Sequence, residues 1–558
     1  MFLTYTNPVY EYQKTADQAT DQIAHHPVIV VGAGPIGMGA AIDLAQMGSP
    51  VLVLDDNNTV SIGSRAVCYS KRALEILDRL GCAERMIAKG VTWNIGKVFF
   101  RDELVTQFDL LPEKGHKIPA FINLQQYYLE EYMVDRMNEL DLLEVRWKNK
   151  VIGIEQNDQQ VIITIDTPDG EYQLSTDWLI AADGANSGIR TMLGLQSSGK
   201  VFQDRFLIAD IVMKAGFPPE RWFNFDPSYH RGQSTLLHRQ SDNVWRLDFQ
   251  LGWDKDPEVE TQPENIMPRV KAMMGEDVEF ELEWASVYTF QCRRMARFRQ
   301  GRVIFTGDAA HQVSPFGARG ANSGLQDTDN LVWKLQLVMQ GKAPEALLDS
   351  YCDEREFAAD ENILNSTRST DFITPKSRVS RGFRDATLEL SKRFHFAQKL
   401  TNSGRLSDAA FLTDSILNTA DTDEFAGDMV PGAVTSDAPV TSGDNIQWLL
   451  NALGNRFSCL YFAESVDQLD AQQLERLKAL QSLEIPVTPV VLVSQHTATD
   501  LQGISVLLDV QRLIQQRFDA LPDTTYLIRP DQHVCARWRS FNLDQVKQSV
   551  RRATANLE

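Results

Sequence analysis

The run Pro27-Val28-Ile29-Val30-Val31, leading into Gly32-Ala33-Gly34-Pro35-Ile36-Gly37, constrains this chain more than any other stretch. Apolar, mostly β-branched residues in succession read as a strand buried in a parallel sheet. The glycines then turn the chain tightly, and Met38 to Ala45 carries apolar residues at helical spacing. In that strand–turn–helix setting, Gly-x-Gly-x-x-Gly seats a dinucleotide pyrophosphate on a helix N-terminus. Gly32 makes the turn, Gly34 lets the backbone approach the phosphates, and Gly37 lets helix and strand pack closely, with Pro35 in the same cofactor-binding turn. A second buried strand, Val51 to Leu54, ends in Asp55. From Gly32 this is about the twenty-residue offset at which an acid meets a ribose hydroxyl.

At 558 residues the chain is too long for one core, and two to four domains are expected. Its formal charge of -20 argues against nucleic-acid and anionic-membrane partners, both of which need a basic footprint. An anionic ligand must then be met by local arginines and backbone amides. No apolar run approaches a membrane span, and Met1 to His26 has no apolar signal core, so a cytoplasmic protein is expected. The six cysteines are scattered without a Cys-x-x-Cys pair, which predicts buried small hydrophobes and neither disulfides nor a metal site.

Along the chain, residues 1–26 read as a tyrosine-rich arm strapped over the surface, and 27–200 as the first part of the dinucleotide domain. Arg65 follows the acid-tipped second strand and a polar loop, a position suited to cofactor phosphate. An amphipathic helix around Ser70 to Leu80 is capped by Gly81, and Trp93 to Leu110 alternates like strands. Gln126 opens a helix with Leu129, Met133 and Met137 at helical spacing. Val145 to Glu155, Val161 to Asp166 and Glu171 to Leu174 predict an antiparallel meander with a turn at Pro168-Asp169-Gly170. A further buried strand, Trp178 to Ala182, ends in Asp183-Gly184 with Arg190 behind it. Residues 201–284 predict a separate antiparallel sheet, a middle domain that would bind substrate.

A second motif lies within 285–400, read as the returning part of the cofactor domain plus helices from Glu345 to about Thr370 and from Phe383 to Thr401. The short strand Val303 to Phe305 leads to Gly307-Asp308, and the loop from Pro315 through Gly317, Arg319, Gly320 and Ala321 to Asn322 opens a long helix to Gln340. Such a loop presents backbone amides to an anion or a polar heterocycle. Residues 401–426 are a polar linker, and 427–558 hold a compact β/α unit in a thioredoxin-like order. Cys459 stands alone in its strand, so thiol–disulfide exchange is not expected.

These motifs, in this order, resemble the class A flavoprotein monooxygenases, the para-hydroxybenzoate hydroxylase family. Gly427-Asp428-x-x-Pro431-Gly432-Ala433 and Tyr526-Leu527-Ile528-Arg529-Pro530-Asp531 look like its subgroup with a redox-inactive thioredoxin-like tail, which acts on phenol, pentachlorophenol and hydroxyphenylpropionate. The resemblance implies an α/β fold: a Rossmann-like FAD domain of glutathione-reductase type, an antiparallel substrate sheet and a thioredoxin-like C-terminal domain. It implies non-covalent FAD, NADH or NADPH as co-substrate, dioxygen, a small aromatic substrate and room for a homodimer. Gly32, Gly34 and Gly37 would hold the pyrophosphate and Asp55 the ribose. Arg65, Gln126, Gly307 and Asp308 would meet the pyrophosphate or ribityl chain, and Pro315 and Gly317 to Asn322 would line the flavin ring. Asp183, Gly184 and Arg190 would support both FAD and transient NAD(P)H.

In that family a flavin C4a-hydroperoxide delivers one oxygen atom to an electron-rich ring, so the protein must exclude water and favour the phenolate. Candidates for that second task, or for clamping a substrate carboxylate, are Tyr229, His230, His238 and Arg246 in the middle domain, with Pro315 and Arg319 in the flavin loop. Arg319 departs from the neutral residue of many relatives. The expected substrate is a phenol with a short acidic side chain, such as hydroxyphenylacetate or hydroxyphenylpropionate. Three alternatives share the fold: a monooxygenase of a non-phenolic substrate, a binding protein such as the Rab GDP-dissociation inhibitors, and a halogenase. Trp93-Asn94-Ile95 lacks the tryptophan pair a halogenase needs.

Overall fold

The computed structural model describes residues 3–20, 22–401, 406–443, 445–495, 501 and 503–556. The chain forms two compact units, one made of Met1–Pro112, Pro119–Thr328 and Ala359–Asp408, the other of Glu113–Ile118, Asp329–Ala358 and Ala409–Glu558.

The first unit holds two large sheets. In one, the parallel strands Ala24–Val31, Val51–Asp55, Leu143–Trp147, Gly170–Ala181 and Val303–Phe305 stand in the spatial order 3-2-1-4-5 when numbered along the chain. That order reverses between the first and fourth strands, and a doubly wound sheet opens a binding crevice at such a switch point. Val28, Ile29 and Val30 are fully buried there, as their unbroken apolar run requires. The helix Pro35–Gln46 follows directly.

Two of the sequence expectations change here. Leu143–Trp147 pairs in parallel with Val51–Asp55, so it belongs to the cofactor sheet and the antiparallel meander starts only at Lys150–Gln156. The two strands expected at 171–174 and 178–182 are one, Gly170–Ala181, antiparallel to Val161–Thr167 at its start and parallel to Ala24–Val31 as far as Ala181. One strand with two partners has no local signature.

The other large sheet contains Ser197–Val212, Arg221–Phe225, Ser234–Arg239, Val244–Leu251 and Glu281–Met295. Ile95–Phe100 and Glu103–Asp109 extend it, through parallel pairing of Gly96 to Phe100 with Arg221 to Phe225. The sheet therefore recruits chain from well before the 201–284 stretch. One face packs Leu207, Ala209, Leu237, Trp245, Leu247 and Phe249 against the helix Pro263–Met274, which places Ile266 and Val270 in the same cluster.

The arm is fixed to this unit: Tyr5 stacks on Tyr127 at 4.1 Å, Tyr10 on Trp147 at 4.6 Å, and Ala24 to His26 already belong to the first strand. The helix expected at 383–401 is broken into Arg378–Ser391 and His395–Thr401.

The second unit contains a seven-stranded mixed sheet. Ser458–Ala463, Thr488–Val493 and Ser505–Leu508 run parallel, and Thr525–Ile528 pairs antiparallel with the first and forms a hairpin with Val534–Trp538. Pro439–Ser442, Asn445–Trp448 and Ser505–Leu508 are strands the sequence pattern did not reveal. The helix expected near 510–518 is only Leu513–Arg517. Among the described residues no helix is long and apolar enough to cross a membrane.

Candidate functional site

The strand ends at the switch point open onto a cavity of about 780 Å³ within the first unit. Its lining joins Gly34, Pro35, Arg65, Gln126, Gly184, Asp308, Pro315 and Arg319 to Asn322 with residues of the second sheet. Stretches far apart in the sequence thus converge on one space.

The glycine turn divides its steric tasks as expected. Gly32 has φ +108, and a side chain on Gly37 would lie 1.9 Å from the Gly32 carbonyl oxygen. A Cβ on Gly34 would meet nothing within 4 Å. The space in front of that helix N-terminus is open, which suits a pyrophosphate. Asp55 accepts the Ala33 N–H at 2.6 Å and the Asn57 N–H at 2.8 Å, which fixes its carboxylate at the turn. Burial raises its pKa, and those two N–H groups oppose the rise.

Asp308 also stands at the cavity, where the surrounding protein raises its pKa and His311 opposes the rise. Gly307 has φ +56, and a Cβ on Gly320 would lie 3.9 Å from Asp308 Oδ1, so helix N-terminus and carboxylate face one another. Gln126 and Asn322 are occupied in shaping the loops. Gln126 accepts the Ala66 N–H and donates to Glu130 at 2.7 Å. Asn322 accepts the Ser70 N–H at 2.9 Å and donates to the Cys68 and Ala318 carbonyls. Ala318 has φ +54, a left-handed turn beside Gly317 at φ +103.

Arg190 donates to the carbonyls of Ala309 at 2.7 Å and Ala185 at 2.8 Å. It ties the Asp183-Gly184 turn to the Gly307-Asp308 turn through its guanidinium. Asp183 accepts the Ile189 N–H at 3.0 Å through Oδ2, while its Oδ1 is buried without a hydrogen-bond partner among the described residues.

A family model described as FAD binding domain matches residues 25–366. The chain belongs to this FAD-binding family. FAD is its cofactor, and the open position before Gly34, the unsatisfied Asp183 oxygen and the cavity size fit that group. A second model, HcaD C-terminal domain, matches residues 436–553. The chain is 26% identical over 525 residues to a 3-(3-hydroxy-phenyl)propionate/3-hydroxycinnamic acid hydroxylase of Shigella sonnei (strain Ss046), covering 91% of each. To the enzyme of the same name from Klebsiella pneumoniae (strain 342) it is 27% identical over 533 residues, 93% of this chain and 92% of the relative. Its fold is similar to that of the flavin-dependent monooxygenase PieE in complex with FAD and substrate, with a TM-score of 0.78 and 20% identity over 96% of this chain and 99% of that one.

The cavity wall of this FAD-family protein that lies away from the glycine turn is the polar face of the second sheet. Along Val244–Leu251, Trp245, Leu247 and Phe249 enter the apolar core while Arg246 and Asp248 line the cavity. Strand register puts Trp284, Asp210, Arg246 and His238 in one row, with Arg221 at the end next to His238. Arg246 donates to Asp210 at 2.9 and 3.1 Å, to the Arg65 carbonyl at 3.0 Å and to Ser64. Burial works against its charge, but Asp210 outweighs burial and raises its pKa.

His238 is held neutral by burial, reinforced by Arg221 and Arg246. Its Nδ1 lies 3.7 Å from Cys68 Sγ, to which Arg221 also donates at 3.4 Å. Burial pushes Asp248 up to about 6 against the pull of Arg246 and Arg221. Trp284, Tyr288, Phe290, Phe316 and Pro315 supply the apolar remainder of the wall. Arg319 is buried there, its pKa lowered by burial and raised in part by Asp408.

Tyr229 and His230 do not line this cavity. Tyr229 Oη is 2.8 Å from Thr235 Oγ1, and His230 Nε2 bonds the Gln250 carbonyl while its ring meets Phe249, which faces the core side of the sheet. Arg221 and Asp248 escaped the sequence reading. Alternation marks two faces of a strand, and only long-range register tells which one meets a cavity.

Proposed function

We propose that this protein is an FAD-dependent, NAD(P)H-consuming hydroxylase of a phenolic ring bearing a short acidic side chain, of the 3-(3-hydroxyphenyl)propionate type. The observation that carries the reading is the pairing of a FAD-family crevice with a facing wall of aromatic rings and buried arginines. The names of relatives similar over nine-tenths of the chain support the substrate class. FAD, once reduced by NAD(P)H, supplies the chemistry that activates dioxygen and passes one oxygen atom to the ring.

The chain's own work is to bind, orient and exclude water. Trp284, Tyr288, Phe290 and Phe316 form the apolar slot that fits an aromatic ring and keeps the site dry. Asp55, Asp308 and the backbone N–H groups after Gly32 and Gly320 hold the cofactor, with Arg65 beside them. Arg319, in the flavin-side loop, meets a substrate carboxylate by charge-assisted hydrogen bonding. The C-terminal sheet reads as a thioredoxin-like fold without a redox pair: its two cysteines, Cys459 and Cys535, are buried and burial pushes both thiols up to about 12. That domain is structural or serves assembly.

A panel of phenols with and without carboxylates tests the reading, scored for hydroxylated product and for NADH or NADPH consumed. Coupled hydroxylation of hydroxyphenylpropionate is expected. Failure of every phenol to yield product overturns it.

A further inference from the structure

Two nearby side chains in the sheet wall each carry a buried polar atom without a partner. His238 Nε2 and Asp248 Oδ1 are buried without a hydrogen bond among the described residues, as is Arg221 Nε behind them. His238 Nε2 lies 3.9 Å from Asp248 Oδ2, too far for a hydrogen bond. Two hydrogen bonds of about 2.8 Å meeting at one oxygen at roughly a right angle span that gap. The oxygen must accept from His238 Nε2–H and donate to the Asp248 carboxylate. A hydroxyl does both; an ether or a carboxylate does not.

Resting on the hydroxylase reading above, we propose that the substrate's ring hydroxyl seats between His238 and Asp248 and gives its proton to Asp248. The O–H bond breaks, a bond forms between that proton and an Asp248 oxygen, and the electron pair stays on the ring oxygen as phenolate. The negative charge moves from carboxylate to phenolate, so the net charge of the cluster does not change. His238 keeps its proton and holds the phenolate oxygen.

The groups facing Asp248 make this transfer feasible. They are Arg246 on its own strand, Asp210 on Ser197–Val212, Arg221 on Arg221–Phe225, His238 on Ser234–Arg239 and Tyr288 on Glu281–Met295. Asp210 is neutralised by Arg246, leaving Arg221, which donates to Cys68 Sγ, as the cation whose field acts on Asp248. Asp248 is ionised at neutral pH and able to accept the proton, and the Arg221 charge and the His238 N–H close the remaining gap to a phenol by stabilising the phenolate.

The test uses flavin-loaded, oxidised enzyme without NAD(P)H, so that no turnover occurs. 3-(3-Hydroxyphenyl)propionate and its hydroxyl-free analogue 3-phenylpropionate are titrated, and the near-ultraviolet phenolate band of the bound ligand is read at pH 7.5 (about 2.5 units below the phenol's own pKa). The wild type should bind the first ligand as phenolate. Asp248→Asn should lower the phenolate fraction at least tenfold while changing the affinity for 3-phenylpropionate by less than twofold. His238→Gln should weaken the hydroxylated ligand at least fivefold more than the hydroxyl-free one. This second variant carries the test if Asp248→Asn does not retain flavin.

An undiminished phenolate band in Asp248→Asn, or equal loss of both ligands in His238→Gln, overturns the assignment. If the wild type hydroxylates the phenol in turnover while Asp248→Asn keeps the band, only the assignment fails. If the wild type neither binds nor hydroxylates any phenol, the hydroxylase reading fails with it.

Discussion

His311 Nε2 lies 2.6 Å from Asp327 Oδ2, and the same carboxylate oxygen accepts the Gly307 N–H at 3.0 Å. Both side chains are buried. The helix that follows the flavin loop thus reaches back and pins the turn carrying Asp308. Removing the carboxylate in Asp327→Ala leaves a buried imidazole and a buried N–H unsatisfied. A loss of roughly 1.5–3 kcal/mol for hydrogen bonds to a charged group corresponds to about ten- to a hundredfold weaker FAD binding. Flavin fluorescence titration of the apoprotein reads this directly, and unchanged affinity would show that the turn holds without its pin.

Two glycines of one motif should fail differently. Gly34 has φ -78, and its missing Cβ points into open space, so Gly34→Asp should fold normally. The added carboxylate would occupy the phosphate position and repel it, and the purified variant should be colourless. On Gly37 even an alanine Cβ would sit 1.9 Å from a backbone carbonyl, so Gly37→Ala should lower thermal stability as well as flavin content. A yellow, fully loaded Gly34→Asp protein would place the cofactor elsewhere.

What could be read in the sequence follows from which constraints are local. The steric demands on Gly32 and Gly37, and the acid at the end of the next strand, are set within one strand–turn–helix unit and leave a mark in the chain. Arg246 and His238 were legible as polar residues on a strand, but their neighbourhood was not. Asp248 differs from any half-buried strand aspartate only because Ile208, on a strand 40 residues earlier, is paired with it and turns that face toward the cavity. Ile95–Phe100 joins the same sheet by a parallel pairing across more than a hundred residues, and such pairings leave no periodicity behind. Tyr229 misled for the same reason: an aromatic hydroxyl near a candidate strand says nothing of which side of the sheet it will face.

The cysteines of the C-terminal sheet should be dispensable for turnover. Cys459 and Cys535 are fully buried on the two strands that flank Thr525–Ile528, and Cys535 Sγ donates to the Leu527 carbonyl at 3.4 Å. Cys459→Ser places a hydroxyl in an apolar site at a cost of about 1–3 kcal/mol, which should appear as a lower midpoint of thermal unfolding. Product formation per enzyme should stay within a few-fold of wild type for both serine variants. Complete loss of turnover in a folded variant would give the thiols a chemical role.

Arg319 should separate acidic from neutral phenols. It is buried at the cavity, where a guanidinium with little competing water attracts a carboxylate strongly. Arg319→Ala is expected to raise KM for hydroxyphenylpropionate about tenfold or more, while a neutral phenol changes by less than threefold. Equal changes for both would assign the arginine to the flavin loop's own architecture.

Asp248 also makes a prediction about stability, independent of any substrate. Its folded-state pKa of about 6 lies above the range of an aspartate in an unfolded chain. Above pH 6 the group is ionised in both states, and holding that charge in the wall costs roughly 3 kcal/mol, two pKa units' worth. As pH falls below 6 the folded protein takes up a proton first, and the cost shrinks until it vanishes near pH 4, where both states are protonated. Asp248→Asn removes the charge and keeps the shape. It should therefore unfold at a higher temperature than wild type at pH 8, by an amount reduced by whatever its amide leaves unsatisfied. The difference should hold between pH 8 and 7 and then narrow as the two proteins are compared at pH 6 and 5. Scanning calorimetry across that series checks the sign: a gap that stays constant with pH, or widens toward pH 5, is incompatible with a carboxylate whose charge the fold resists.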